Sequence, residues 1–155
     1  MTAKETISFV YVTYIQSTPE KVFEAITRPD LARRYWGHEN VSDWKPGSRW
    51  EHIRANDDRT VELVGKVVEV TPPKRLVMTW TNASQEADPD SYSRVTFDIE
   101  EYEDMVRLTV AHDDLLAGGG MAKGVSKGWP LVLSSLKSFL ETGRALDVFA
   151  KPKAA

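Results

Sequence analysis

The chain has 155 residues, enough for one domain with its own core and too few for two ordinary ones. Hydrophobic residues make up 41% and charged residues 28%, which excludes a disordered or collagen-like chain. Lys and Arg number 20 against 23 Asp and Glu, a formal charge of −3 without the basic excess of a nucleic-acid binder, and with no cysteine there are no disulfides, thiolate catalysts or Cys-based metal centres. Five tryptophans, Trp36, Trp44, Trp50, Trp80 and Trp129, are many for a domain of this size. The apolar cluster Ile7–Ile15 is interrupted by Ser8 and Thr13, too short and too polar for a signal peptide or a membrane span. A cytoplasmic protein is therefore expected, and the sequons at Asn40 and Asn82 read as chance matches.

Residues 6–15 are rich in β-branched and aromatic types, which predicts a strand with apolar groups on both faces, covered on both sides at one end. Thr18-Pro19-Glu20 supplies an N-cap, a first-turn proline and an acid at the positive dipole end, opening a helix whose apolar face is Val22, Phe23 and Ile26. Arg28-Pro29-Asp30 breaks that helix and starts a second short one, with Leu31, Tyr35 and Trp36 in phase and Gly37 at its end. A short strand is expected at Val41–Trp44, a turn at Lys45-Pro46-Gly47 and a strand over 48–55. Beyond a polar turn at Asn56–Arg59, the strand Thr60–Thr71 sets Val61, Leu63, Gly65 and Val67 on one face and stops at Pro72-Pro73. Leu76, Met78 and Trp80 share one face of the next strand, and residues 82–90 form a polar, acidic loop.

Val95, Phe97 and Ile99 then alternate with Arg94, Thr96, Asp98 and Glu100. After an acidic turn at Glu101–Asp104, Val106, Leu108, Val110 and His112 alternate with Arg107, Thr109 and Ala111. Gly118–Gly120 reads as a flexible connector. Val125, Trp129, Leu133, Leu136 and Leu140 repeat at helical spacing and predict a long amphipathic helix ending at Gly143, with Pro130 kinking it or marking its true start. Short turns between consecutive strands imply an antiparallel meander, and the long helix must bury its stripe on that sheet. The expectation is a single α+β domain over residues 1–155, with a core over 6–143, a loose tail at 144–155 and a ligand cavity between sheet and helix.

These residues resemble a known family. Thr18-Pro19-Glu20-Lys21-Val22-Phe23, the aromatic pair Tyr35-Trp36, the turn Pro46-Gly47, the strand Gly65–Val70, the segment Pro73–Val77 with Thr79-Trp80, and Gly128-Trp129 with Leu133, Leu136 and Leu140-Glu141 are similar, in order, to the family related to the activator of the Hsp90 ATPase, within the START-like (SRPBCC, helix-grip) superfamily. The resemblance spans residues 7 to 143. It implies a curved antiparallel sheet of about seven strands gripping the last helix, with two short helices after the first strand. It does not imply one activity: members are linked to small-molecule or lipid binding, distant relatives to aromatic-polyketide cyclisation, and the namesake to a chaperone ATPase. Ser48 and Asp58-Arg59 depart from the family pattern, but only in turns.

Strand parity and the helix stripe direct Trp36, Trp50, Trp80 and Trp129 toward the expected cavity, together with Met78 and Leu133. His52, Arg54 and His112 are the candidate polar handles. Trp44 reads as turn packing, and the histidines His38, His52 and His112 lack metal-ligand spacing, so neither metal nor cofactor is expected. Gly124-Val125-Ser126-Lys127-Gly128 spells a nucleophile elbow, but no strand precedes it and no histidine follows it. The glycines 118–120 lack the lysine of a phosphate loop and suggest instead a hinge over the cavity mouth. The acidic run Glu100, Glu101, Glu103 and Asp104 reads as a solvated turn, or as a surface for a protein partner. The leading expectation is a binder of a small hydrophobic, aromatic or lipid-like molecule. A cyclase or lyase using a facing pair such as His112 and Arg54, and a chaperone-activator-like interaction domain, are the alternatives.

Overall fold

The computed structural model describes residues 5–56 and 58–146. Ten-residue alternation builds β1 (Thr6–Ile15), and Thr18 Oγ1 then accepts from Lys21 N–H to cap α1 (Pro19–Thr27). Pro29 opens α2 (Pro29–Trp36), which Gly37 ends in a left-handed conformation at φ +69°. The remaining strands are β2 (His38–Val41), β3 (Arg49–Arg54), β4 (Val61–Thr71), β5 (Arg75–Asn82), β6 (Ser93–Tyr102) and β7 (Met105–Leu116), followed by α3 (Gly120–Thr142). They form one seven-stranded antiparallel sheet in the order β1-β7-β6-β5-β4-β3-β2, curved around α3. This is the expected α+β helix-grip architecture. No helix among the described residues is long and apolar enough to cross a membrane.

The core lies between the sheet's inner face and α3. Leu76, Met78 and Trp80 of β5, Val95, Phe97 and Ile99 of β6, and Val106, Leu108 and Val110 of β7 all point there. Against them α3 sets Val125, Trp129, Leu133, Leu136 and Phe139. The short helices close the other end: Tyr35 O–H donates to Ala25 O at 2.9 Å, and Ser135 Oγ–H donates to Tyr35 O at 2.7 Å.

Several local expectations change. The second strand begins at His38, not Val41, because the turn at Gly37 feeds the chain straight into pairing with β3, His38 opposite Arg54. Residues 42–44 turn away, with Trp44 at φ +59° and its indole N–H donating to Thr27 O. The outer face of β1 is uncovered: Val10, Val12 and Tyr14 are 62%, 52% and 40% exposed. Gly118–Gly120 is no free connector, since Gly119 caps α3 and Gly120 is its first residue. Pro130 lies inside α3 on its exposed side, so the helix runs through it without burying the ring. Part of the tail is tied down, with Leu146 N–H donating to Ser135 Oγ at 3.1 Å; residues 147–155 lie outside the described residues.

Gly65 is a close-approach position. A Cβ there would overlap the Thr79 carbonyl and come within 2.7 Å of Trp50 Nε1. That carbonyl accepts from Trp50 Nε1–H at 2.7 Å, while Lys66 N–H turns to Thr79 Oγ1. Glycine thus lets a buried indole bond its neighbour's backbone across β4. Gly65→Ala is expected to destabilise the chain by about 2–4 kcal/mol, through overpacking and loss of the Trp50 bond, read as a lowered urea midpoint.

Candidate functional site

Three indoles meet at the open end of the core. The rings of Trp36 and Trp129 lie 5.7 Å apart, Trp80 and Trp129 5.3 Å, and Trp36 and Trp80 6.2 Å. Such tilted contacts are worth about 0.5–1.5 kcal/mol each beyond their buried area. Above them opens a cleft of about 620 Å³, bounded by the start of β4, the turn after β5 and the first half of α3. Trp36, His52, Trp80 and Trp129 line it, with Val61, Leu63, Ala83, Val125 and Val132 supplying apolar wall.

Two glycines make the room. Gly124 and Gly128 stand one helical turn apart on α3 and both line the cleft; a Cβ on either would meet nothing within 4 Å. The G-x-S-x-G pattern therefore marks a bare strip on a helix, not a nucleophile. Its Ser126 hydroxyl donates to the Lys123 carbonyl at 2.8 Å.

The other sequence candidates fall outside the cleft wall. Trp50 is fully buried behind Trp80, 5.3 Å ring to ring. Met78 and Leu133 pack within the core. The register between β3 and β4 shifts after His52, where Glu62 of β4 is the extra, unpaired residue, while β3 keeps regular pairing with β2 through Arg54. Ile53 is buried at 8% exposure, and Arg54, the exposed last residue of β3, keeps its parity with His52 but pairs with Glu62.

His112 is fully buried and has both ring nitrogens in use. Trp129 Nε1–H donates to His112 Nδ1 at 3.0 Å, so the proton sits on Nε2, 2.7 Å from Ser93 Oγ. Ser93 can then donate onward to Trp80 O at 3.3 Å. Burial pulls the His112 pKa down to about 4, against a small opposing pull from Asp113. The ring is a neutral link between helix and sheet, and it does not face Arg54.

His52 is held differently. Asn40 Nδ2–H donates to Ile26 O at 2.8 Å, which fixes the amide and points Oδ1 at His52 Nδ1, 2.7 Å away. Nδ1 therefore carries the proton and Nε2 the lone pair. Nε2 has no partner among the described residues. Among the described residues, the unpartnered polar side-chain atoms closed off from solvent are Ser17 Oγ and Trp80 Nε1; His52 Nε2 is not one of them, so it is reached from the cleft. Burial first, and the neighbouring His38 second, hold the His52 pKa well below the ordinary histidine value.

His38 stacks flat on His52 at 4.3 Å and 5°. Its two nitrogens face acceptors, Trp36 O at 3.0 Å and Glu62 Oε2 at 2.8 Å. Glu62 also takes Arg54, so the rim beside His52 is a chain of Arg54, Glu62 and His38. Beneath it Glu39, 5% exposed, takes Arg59 at 2.7 Å and Arg33 at 3.3 Å, and the Arg59 guanidinium above all holds its carboxyl below the usual range. Sequence reading missed Glu62, Gly124 and Gly128. The four-residue spacing of Gly124 and Gly128 was the one signal for the glycines, and no local signal marked Glu62. Among the described residues no three His, Asp or Glu side chains converge as metal ligands.

A fold that grips its last helix, with an aromatic cleft at one end, defines a START-like domain. The family model "Activator of Hsp90 ATPase homolog 1-like protein" matches residues 16–141, and the chain belongs to that family. A search of curated proteins finds no match. Among solved structures, the Aha1 dimer from Colwellia psychrerythraea is 22% identical, with a TM-score of 0.74 over 90% of this chain and 99% of that one. CalU16 from Micromonospora echinospora is 22% identical, TM-score 0.67, over 88% and 77%. PFC0360w, an Hsp90 activator from Plasmodium falciparum, is 24% identical, TM-score 0.65, over 79% and 86%. At these identities the likeness is one of fold.

His52 and His112 have folded-state pKa values below the unfolded value of about 6.5. The unfolded chain therefore binds more protons as pH falls, so their contribution is fully present above about pH 6.5 and is lost as pH falls through the folded-state values, about 4 for His112. The urea midpoint is expected to drop between pH 6.5 and 5, before most carboxylates titrate. His112→Gln, which keeps an acceptor for Trp129 and a donor for Ser93, should flatten that slope.

Proposed function

We propose that this chain binds a small, flat, largely apolar molecule in the cleft between β4, β5 and α3. The observation that carries the reading is the pairing of a three-indole floor with a helix face stripped of side chains at Gly124 and Gly128. A volume of about 620 Å³ suits a ligand of two to four rings or a short lipid-like chain. The enzyme alternative loses the pair it named, because His112 is committed to Trp129 and Ser93 and Arg54 to Glu62. Tryptophan fluorescence should be quenched by planar aromatic compounds, and Trp80→Phe should weaken that response. Gly128→Leu is the sharper test: the new side chain enters open space, so folding should hold or gain up to about 1 kcal/mol while binding is lost. Unchanged quenching in Gly128→Leu would place the ligand elsewhere.

A protein partner is a second reading, favoured by the exposed apolar row Val10, Val12 and Tyr14 on the edge strand β1. Structural neighbours include an Hsp90 activator. On this reading the chain stimulates Hsp90 ATP hydrolysis, and the paired substitutions Val10→Lys and Val12→Lys reduce that stimulation. A turnover rate indifferent to added chain would remove it.

A further inference from the structure

We infer that the occupant of the cleft carries a neutral hydroxyl on a flat aromatic ring, and that this hydroxyl donates its proton to His52 Nε2; the inference rests on the cleft-binding reading above. His52 is 3% exposed, yet its Nε2 lone pair is unpartnered and reached from the cleft. A polar atom left so in an apolar wall is an address for a donor. The ring cannot turn over to offer an N–H instead: the amide of Asn40 is locked by Ile26 O, and its oxygen already takes Nδ1–H. Trp36 and Trp80 stand beside that imidazole, at 4.8 and 5.9 Å between rings, so a flat ring resting on them lies within reach of Nε2.

The charges around the site argue against an acid as ligand. His52 stays neutral through neutral pH, and the nearby cations are committed, Arg54 to Glu62 and Arg59 to Glu39. A carboxylate head, as on a fatty acid, would meet a lone pair and the Glu62 carboxylate at the rim. A hydroxyl can donate to the open lone pair of His52, which neither an ether nor a carboxylate can do.

The test is calorimetric titration of the full chain with beta-naphthol, its methyl ether and beta-naphthoate. Beta-naphthol is expected to bind about tenfold tighter than the ether, the worth of one buried hydrogen bond, with naphthoate weakest. In His52→Phe the naphthol-to-ether ratio should fall to near one. In the native chain, naphthol and not the ether should shift the ¹⁵N resonance of His52 Nε2, a readout that needs no variant. Equal affinity for naphthol and ether, or naphthoate binding tightest, would overturn the hydroxyl inference while leaving the cleft reading intact. Binding of none of the three would overturn both.

Discussion

The hydrogen bond from the Trp129 indole to His112 is the buried polar tie between α3 and the sheet, and the cleft depends on it. An apolar stripe alone lets a helix roll or slide on a sheet, because hydrophobic contact has no direction. A directed bond to a ring that is itself held by Ser93 removes that freedom. With Trp129 fixed at the sheet, the rotation of α3 about its own axis is fixed too. Gly124 and Gly128 are thereby held at the cleft, where they add no side chain beside the wall that Val125 and Val132 supply.

The site is thus made as much by missing side chains as by those present. Three indoles form the floor, and two glycines keep the opposite wall back. The polar part is small. One imidazole, oriented through Asn40 by the carbonyl of Ile26, presents a lone pair, while the charged groups of the rim neutralise one another. Such a surface selects by shape and by one hydrogen bond rather than by charge.

Membership of the family does not choose among these functions. Its solved neighbours share the sheet and the gripped helix at about one residue in five, enough to hold a fold and too little to carry a site. What is particular to this chain lies in its own residues: His52 with its open nitrogen, the glycine pair of α3, and the exposed row on β1.

Period and punctuation in the amino-acid sequence determined most of the architecture. Alternation at Leu76, Met78 and Trp80, the three- and four-residue stripe from Val125 to Leu140, and Pro19, Pro29 and Gly37 at the helix ends are local signals, and each produced the element it predicts. The inward direction of Trp36, Trp80 and Trp129 follows from the same periods. Tertiary structure decided the rest, where a residue's role depends on partners distant in the chain. Glu62, the extra residue of β4, took Arg54 into an ion pair, and the tie between Trp129 and Ser93 turned His112 from a handle into a strut. Gly124 and Gly128 gained meaning only from the wall opposite them. Periodicity says which face a side chain is on, but hydrogen-bond partners and empty space are set by what the folded chain brings to that face.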